Sequence, residues 1–246
     1  MSALVALTER SLISAKRDGG MIFEILSPAG YLAGFTVALH GLIDTGRMSY
    51  AQYLLPAVVI QSVIFIGLVN AGRVTRDHDL GLRARLATLP ITSAVPTGAR
   101  ILATLIRAAL AVSVAMIAGY AFGFRMTGGL GHALAFVLIT SLLCVAVALG
   151  ADALGSSTGS LHGANQLLTA PQLLLFMLST GIAPEKTFPG WLRPYVRNQP
   201  VSQVAETLRG LATGQVADGN LAASLAWCVG MVLVFGAIAL RLQRRG

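Results

Sequence analysis

Six long apolar runs punctuate the chain, at Met21–Ile43, Tyr53–Val74, Ile101–Phe124, His132–Gly155, Gln166–Ala183 and Leu221–Leu240. Each approaches or exceeds the roughly 20 helical residues that cross a hydrocarbon core. Lipid offers no partner to a bare N–H or C=O, so a run of this kind spans as a helix. The alternating apolar and polar residues of a membrane barrel are missing. Composition agrees: at 246 residues, 55% hydrophobic and a mean hydropathy of +0.73, the chain holds more apolar side chains than one soluble core hides. The fold class predicted is an all-α membrane protein of six transmembrane helices, forming one domain over residues 1–246.

The first run follows Lys16, Arg17 and Asp18 and lacks a small-residue cleavage exit, so it reads as a retained helix and not as a removed signal. Orientation comes from Lys and Arg in the connecting segments. Arg10, Lys16 and Arg17, then Arg73, Arg76, Arg83, Arg85 and Arg100, and finally Arg241, Arg244 and Arg245 fall on one side, eleven in all. Arg47, Arg125, Lys186, Arg193, Arg197 and Arg209 fall on the other, six in all. The richer side is assigned to the cytoplasm of a bacterial inner membrane, together with both termini. A net charge of +8 is then anchoring charge at helix ends and not a nucleic-acid surface.

Two connections exceed a turn. The stretch VTRDHDLGLRARLATLP, Val74–Pro90, places three arginines and two aspartates in a chain with only 11% charged residues. Leu82, Leu86 and Leu89 recur at helical spacing there, with Arg83 and Arg85 projecting elsewhere, which predicts a short interfacial helix closed by Pro90. The second long connection, Pro184–Asn220, carries Phe188, Trp191 and Tyr195, aromatics suited to a headgroup boundary. A helix is expected from Val201 to Leu211, lying against the membrane. Residues 2–17 read as a further interfacial helix, without a clean apolar stripe.

Catalytic signatures are missing. No G-x-x-x-x-G-K-[ST] loop, H-E-x-x-H pair or C-x-x-C pair occurs, so no catalytic residue, metal ligand or cofactor is assigned. Cys144 and Cys228 fall inside apolar runs and read as small apolar side chains. Glu24, His40, Arg107 and Asp152 are the ionisable residues in or beside spans, and such residues are costly to bury. Arg107 is expected to snorkel towards the cytoplasmic interface, although pairing with Asp152 is also open. Gln61, Asn70, Asn165, Gln166 and Gln172 lack that reach and need partners within the bundle, either as helix-to-helix glue or as contacts for a passenger.

This plan, with an inner amphipathic helix after span two and outer helices before span six, resembles the ABC-2 family of ABC-transporter permeases over essentially the whole chain. The inner match runs through Asp77, His78, Asp79, Gly81, Arg85 and Pro90, although family members usually carry Glu at the acidic positions and Thr where Leu82 stands. The outer match is Pro189, Trp191, Asn198, Pro200, Glu206, Leu208 and Arg209. The wording PYVRNQPVSQVAETLRGL is most similar to the daunorubicin-resistance subgroup, including mycobacterial permeases thought to export phthiocerol dimycocerosate.

The resemblance implies a non-catalytic permease half that exports a lipid or other hydrophobic compound. It implies two copies of a separate P-loop ATPase binding ATP and Mg, and a second permease, identical or homologous. It makes Asp77, Asp79, Gly81, Arg83, Arg85 and Pro90 the cytoplasmic coupling helix gripped by that ATPase. A groove open to the bilayer is expected along spans two and five, with Gln61, Phe65, Asn165, Gln166, Gln172 and Phe176 as its candidate contacts; the competing reading makes them lipid-facing surface and helix glue. Efflux of an anthracycline-like drug is the alternative within the class, and a lipid-modifying intramembrane enzyme the alternative outside it.

Overall fold

The computed structural model describes residues 2–39, 48–81, 88, 92, 94–157 and 172–244. Within them the chain is helical: α1 Ala3–Arg17, α2 Gly20–Leu39, α3 Tyr50–Asp79, α4 Ala94–Ala121, α5 Gly129–Ser157, a helical stretch at 172–177, a 3₁₀ turn at Glu185–Thr187, α6 Arg193–Asn198, α7 Pro200–Thr213 and α8 Asp218–Arg244. No strand occurs among the described residues. Five helices there are long and apolar enough to cross a membrane, at Gly20–Ala38, Tyr50–Asp77, Val95–Ala121, Gly129–Ser157 and Asp218–Leu242. Most of the fifth predicted span and the segment holding Leu82, Leu86 and Leu89 lie outside the described residues.

The predicted fifth span, Gln166–Ala183, needs correction where it is described. Its helix ends at residue 177, and 178–183 form turns. Hydropathy could not register this, because Gly181 and Ile182 are as compatible with an apolar helix as with a bend. The bend fits because Gly181 lies so close to α3 that a Cβ would stand 2.7 Å from the Ala57 Cβ.

Helix α3 is the axis of the bundle. It touches α2, α4, α5 and α7, while α8 packs on α5 and α7, and α1 packs on α4 and α2. Leu54, Leu55, Val59, Val63 and Ile66 of α3 are fully buried and meet Phe124, Phe176 and Leu208. In lipid, apolar contact alone gives little drive for helix association, so close packing of small residues must hold the bundle together. Helix α5 supplies them: Ala146, Ala148 and Ala151 are buried, and a Cβ at Gly155 would stand 2.6 Å from the Ala71 carbonyl oxygen of α3.

Hydroxyl groups add short-range fastenings. Thr75 Oγ1 donates to Ala71 O or Gly155 O, at 3.1 and 3.2 Å, on the α3–α5 seam. On the α7–α8 seam the Thr207 and Ser224 hydroxyls lie 2.6 Å apart, and Ser224 donates to the Gln203 carbonyl at 2.8 Å.

The outer connection also differs from expectation. Helix α7 forms over the anticipated residues but is not laid on a surface: Val204, Ala205, Thr207, Leu208 and Arg209 are all buried. It is inserted among α3, α5 and α8 because small and hydroxylated residues let it approach its neighbours while Gln199 and Arg209 carry hydrogen bonds inward. Trp191, at 80% exposure, and Tyr195, at 50%, remain outside. Gly214 ends α7 in the left-handed conformation, at φ 77°, which glycine adopts without a Cβ clash.

Candidate functional site

At one end of the bundle, Glu24 of α2 is buried between two guanidinium groups. Arg73 Nη2 of α3 donates to Oε1 at 2.7 Å, and Arg107 Nη1 of α4 donates to Oε2 at 2.9 Å. Arg107 Nη2 lies 3.3 Å from both Asn70 Oδ1 and Thr104 Oγ1. Each carboxylate oxygen thus has its own cationic donor, the condition under which buried charges offset their desolvation cost. Three helices are joined at one residue.

Snorkelling of Arg107 is therefore replaced by inward pairing. Its side chain is only 3% exposed and that of Glu24 only 1%. A carboxylate at the same depth on the adjacent helix offers more than the distant interface. The open pairing of Arg107 with Asp152 does not form either. Asp152 accepts from Arg100 Nε, with Thr97 Oγ1 at 3.4 Å. Arg107 sits about 10 Å further along α4 than Arg100 at 1.5 Å per residue, on another level of the bundle.

Surface pairs continue from this triad to the end of α3. Asp18, in the turn between α1 and α2, lies 3.4 Å from Arg76 and 3.9 Å from Arg73; Arg10 of α1 lies 3.8 Å from Asp77. Asp79 is exposed at the final residue of α3, and Gly81 follows with φ 65°, a left-handed conformation that costs other residues strain. These residues lie at the end of the axis helix, before the segment expected from the sequence to form the coupling helix. Arg83, Arg85 and Pro90 lie outside the described residues.

The opposite end is built around Arg209 of α7. Its guanidinium lies 3.7 Å above the Tyr53 ring and donates through Nη2 to the Tyr53 and Thr180 carbonyls at 3.1 and 3.2 Å. Glu206 Oε1 lies 2.8 Å from Arg209 Nη1. Tyr53 Oη donates to Thr180 O at 2.6 Å, Thr180 N donates to Ser202 Oγ at 3.0 Å, and Gln199 Nε2 donates to the Leu175 and Leu178 carbonyls. Side chains from α3 and α7 thereby satisfy backbone groups freed where the helix breaks, as buried non-helical backbone requires. Gln52 of α3 similarly pairs with the backbone of Arg125, accepting from its N–H at 2.7 Å and donating to its carbonyl at 3.0 Å.

The candidate path residues occupy different environments. Gln61 has a buried Oε1 without a hydrogen-bond partner among the described residues. Phe65 meets Phe23 edge to face with ring centroids 5.9 Å apart. Phe176 is packed in the core, whereas Leu173 and Leu174 of the same stretch are 58% and 61% exposed. Gln172 borders a cleft shared by α3, α5, α7 and α8. Asn165 and Gln166 lie outside the described residues.

Three principal polar contacts escaped sequence reasoning: Glu24 with both arginines, Arg209 with Tyr53, and Gln199 with the broken helix. Their partners are tens of residues apart, so only depth matching between spans hints at the first. Among the described residues no group of three His, Cys, Asp or Glu is placed to hold a metal ion. Both ends consist of paired charges and hydrogen-bonded backbone that join separate helices.

A family model described as ABC-2 type transporter matches residues 2–212. The daunorubicin resistance ABC transporter permease protein DrrB1 of Streptomyces coeruleorubidus is 27% identical, covering 99% of this chain and 87% of its own. The doxorubicin resistance ABC transporter permease protein DrrB of Mycobacterium tuberculosis is 31% identical over 88% of this chain and 80% of its own. The probable doxorubicin resistance permease protein DrrC of that organism is 29% identical over 92% and 83%.

Proposed function

We propose that this chain, which belongs to the ABC-2 type transporter family, is a permease half that carries a hydrophobic or amphipathic compound outward on ATP hydrolysed by a separate subunit. Two copies of a P-loop ATPase hold the ATP and Mg, and a second ABC-2 permease, identical or homologous, completes the passage. The chain itself binds no cofactor and performs no covalent step. It lies in the inner membrane with both termini in the cytoplasm.

The observation that carries this reading is the charged end of α3. Arg73 is paired with Glu24, and Asp77 lies near Arg10, so the segment after Asp79 leaves a helix already tied to α1 and α2. A motor gripping Asp77, Asp79, Gly81, Arg83, Arg85 and Pro90 would move the axis of the bundle, and the Glu24 triad would carry α2 and α4 with it. Such rigid-body motion of packed units is the ordinary basis of alternating access.

The cargo is a long-chain lipid on the strength of the subgroup resemblance, with Gln61, Phe65, Asn165, Gln166, Gln172 and Phe176 as candidate contacts. Efflux of an anthracycline-like drug is the second reading, favoured by the names of the relatives. The test is reconstitution with the cognate ATPase. Charge reversal at Arg83 and Arg85, or Gly81→Val, should uncouple ATP hydrolysis from export while the chain still inserts. Unchanged coupling in all three variants would remove the assignment.

A further inference from the structure

A partly open cleft of about 240 Å³ lies between α3, α5, α7, α8 and the stretch 172–177. Ile64, Val147, Ala151 and Phe235 typify its walls, and among the described residues Gln172 supplies the one polar side chain of the lining. The half-buried Gln172 amide has no hydrogen-bond partner among the described residues. Beside the lining residues along the chain, Leu173, Leu174, Leu233 and Val234 are exposed, apolar side chains suited to contact with hydrocarbon.

We propose that this cleft binds one acyl chain of a bilayer phospholipid, with the ester carbonyl accepting a hydrogen bond from the Gln172 amide. An apolar space of this kind does not retain water, and inside a membrane the surrounding filler is hydrocarbon. The volume falls below the roughly 300–1,000 Å³ typical of sites for drug-sized ligands. It has room for part of one acyl chain and not for a whole lipid. An apolar body beside one free amide matches an acyl ester better than it matches either a bare alkane or a charged head.

The occupant also touches the outer clamp. Leu175, Pro200 and Val201 line the cleft, and Gln199, adjoining Pro200, holds the Leu175 carbonyl. A chain seated there supports the junction between the broken helix and α7. The inference depends on the membrane-spanning fold and not on ATP coupling.

The test uses the purified full-length chain without ATPase, in nanodiscs of phosphatidylglycerol carrying a mid-chain diazirine on one acyl chain. Illumination and peptide mass spectrometry should place adducts on Val147, Ala151 and Met231. Ala151→Phe, which fills the cleft, should lower that labelling about tenfold, equivalent to about 1.4 kcal/mol of affinity. Leu154→Phe supplies a second filling variant if Ala151→Phe fails to fold, and Leu138→Phe on the exposed face of α5 should change nothing. Gln172→Leu should weaken capture of the ester lipid about threefold while leaving a diazirine-bearing alkane unaffected. Labelling spread over Leu134, Leu138 and Leu233 in proportion to exposure would overturn the site. So would undiminished labelling in a folded filling variant, or equal loss of both probes in Gln172→Leu. Displacement of the lipid by doxorubicin would overturn the resident lipid in favour of a passenger. Export defects in coupling variants leave these outcomes unaffected, so the two proposals fail separately.

Discussion

Arg209 and Tyr53, on helices far apart in sequence, are joined twice: the guanidinium stacks 3.7 Å over the phenol ring and also donates to the Tyr53 backbone carbonyl. The contact fastens the inserted α7 to the axis helix and reaches the bend at Thr180. A desolvated cation–π pair contributes about 2 kcal/mol. Arg209→Lys should therefore destabilise the bundle nearly as much as Arg209→Met, because an ammonium cannot reproduce the planar stack and its fork of donors. Thermal unfolding in detergent, with tryptophan fluorescence as the signal, checks this; a lysine variant as stable as the parent would refute the stacking role.

The Glu24 triad predicts a rescue. Glu24→Gln leaves Arg107 charged in a site where it is 3% exposed, a loss of about 3–5 kcal/mol when a buried pair is broken. Arg73 is less trapped, at 16% exposure, and has Asp18 at 3.9 Å. Combining Glu24→Gln with Arg107→Met should recover part of the stability, with a coupling of about 1–3 kcal/mol in a double-mutant cycle. Additive losses would show that the charges do not sense each other.

Close helix approach gives a sharper steric expectation. Gly155→Ala puts a Cβ 2.6 Å from the Ala71 carbonyl oxygen and 2.8 Å from the Val74 Cβ, atoms that cannot swing aside. Overpacking should cost about 1–3 kcal/mol. Gly30→Ala, with nothing within 4 Å of the new Cβ, should be near neutral. Comparison of the two melting temperatures tests whether α3 and α5 meet at this distance.

Membrane orientation is open to direct labelling. Single cysteines in place of Asp79 and Lys186, introduced after Cys144 and Cys228 are changed to Ala, should react with an impermeant maleimide from opposite sides of intact cells. Asp79 is expected inside and Lys186 outside, following the eleven-to-six excess of Lys and Arg. Outside reaction at position 79 would reverse the assigned topology.

The amino-acid order by itself determined where helices lie. Runs of apolar residues have one local solution in lipid, so α2, α3, α4, α5 and α8 appear with bounds within about seven residues of the runs that predict them. The helix expected over Val201–Leu211 also forms, at Pro200–Thr213. Depth and insertion were decided only by tertiary structure. Hydropathy assigns Arg107 a position along one helix, but its inward turn depends on Glu24 and Asn70 standing at that level on two others. The early end of the helix at 177 depends on Tyr53, Gln199, Ser202 and Arg209 being present to receive the freed backbone. A bend and a buried charge are each costly alone in lipid; the folded chain supplies partners drawn from segments that a local pattern never compares.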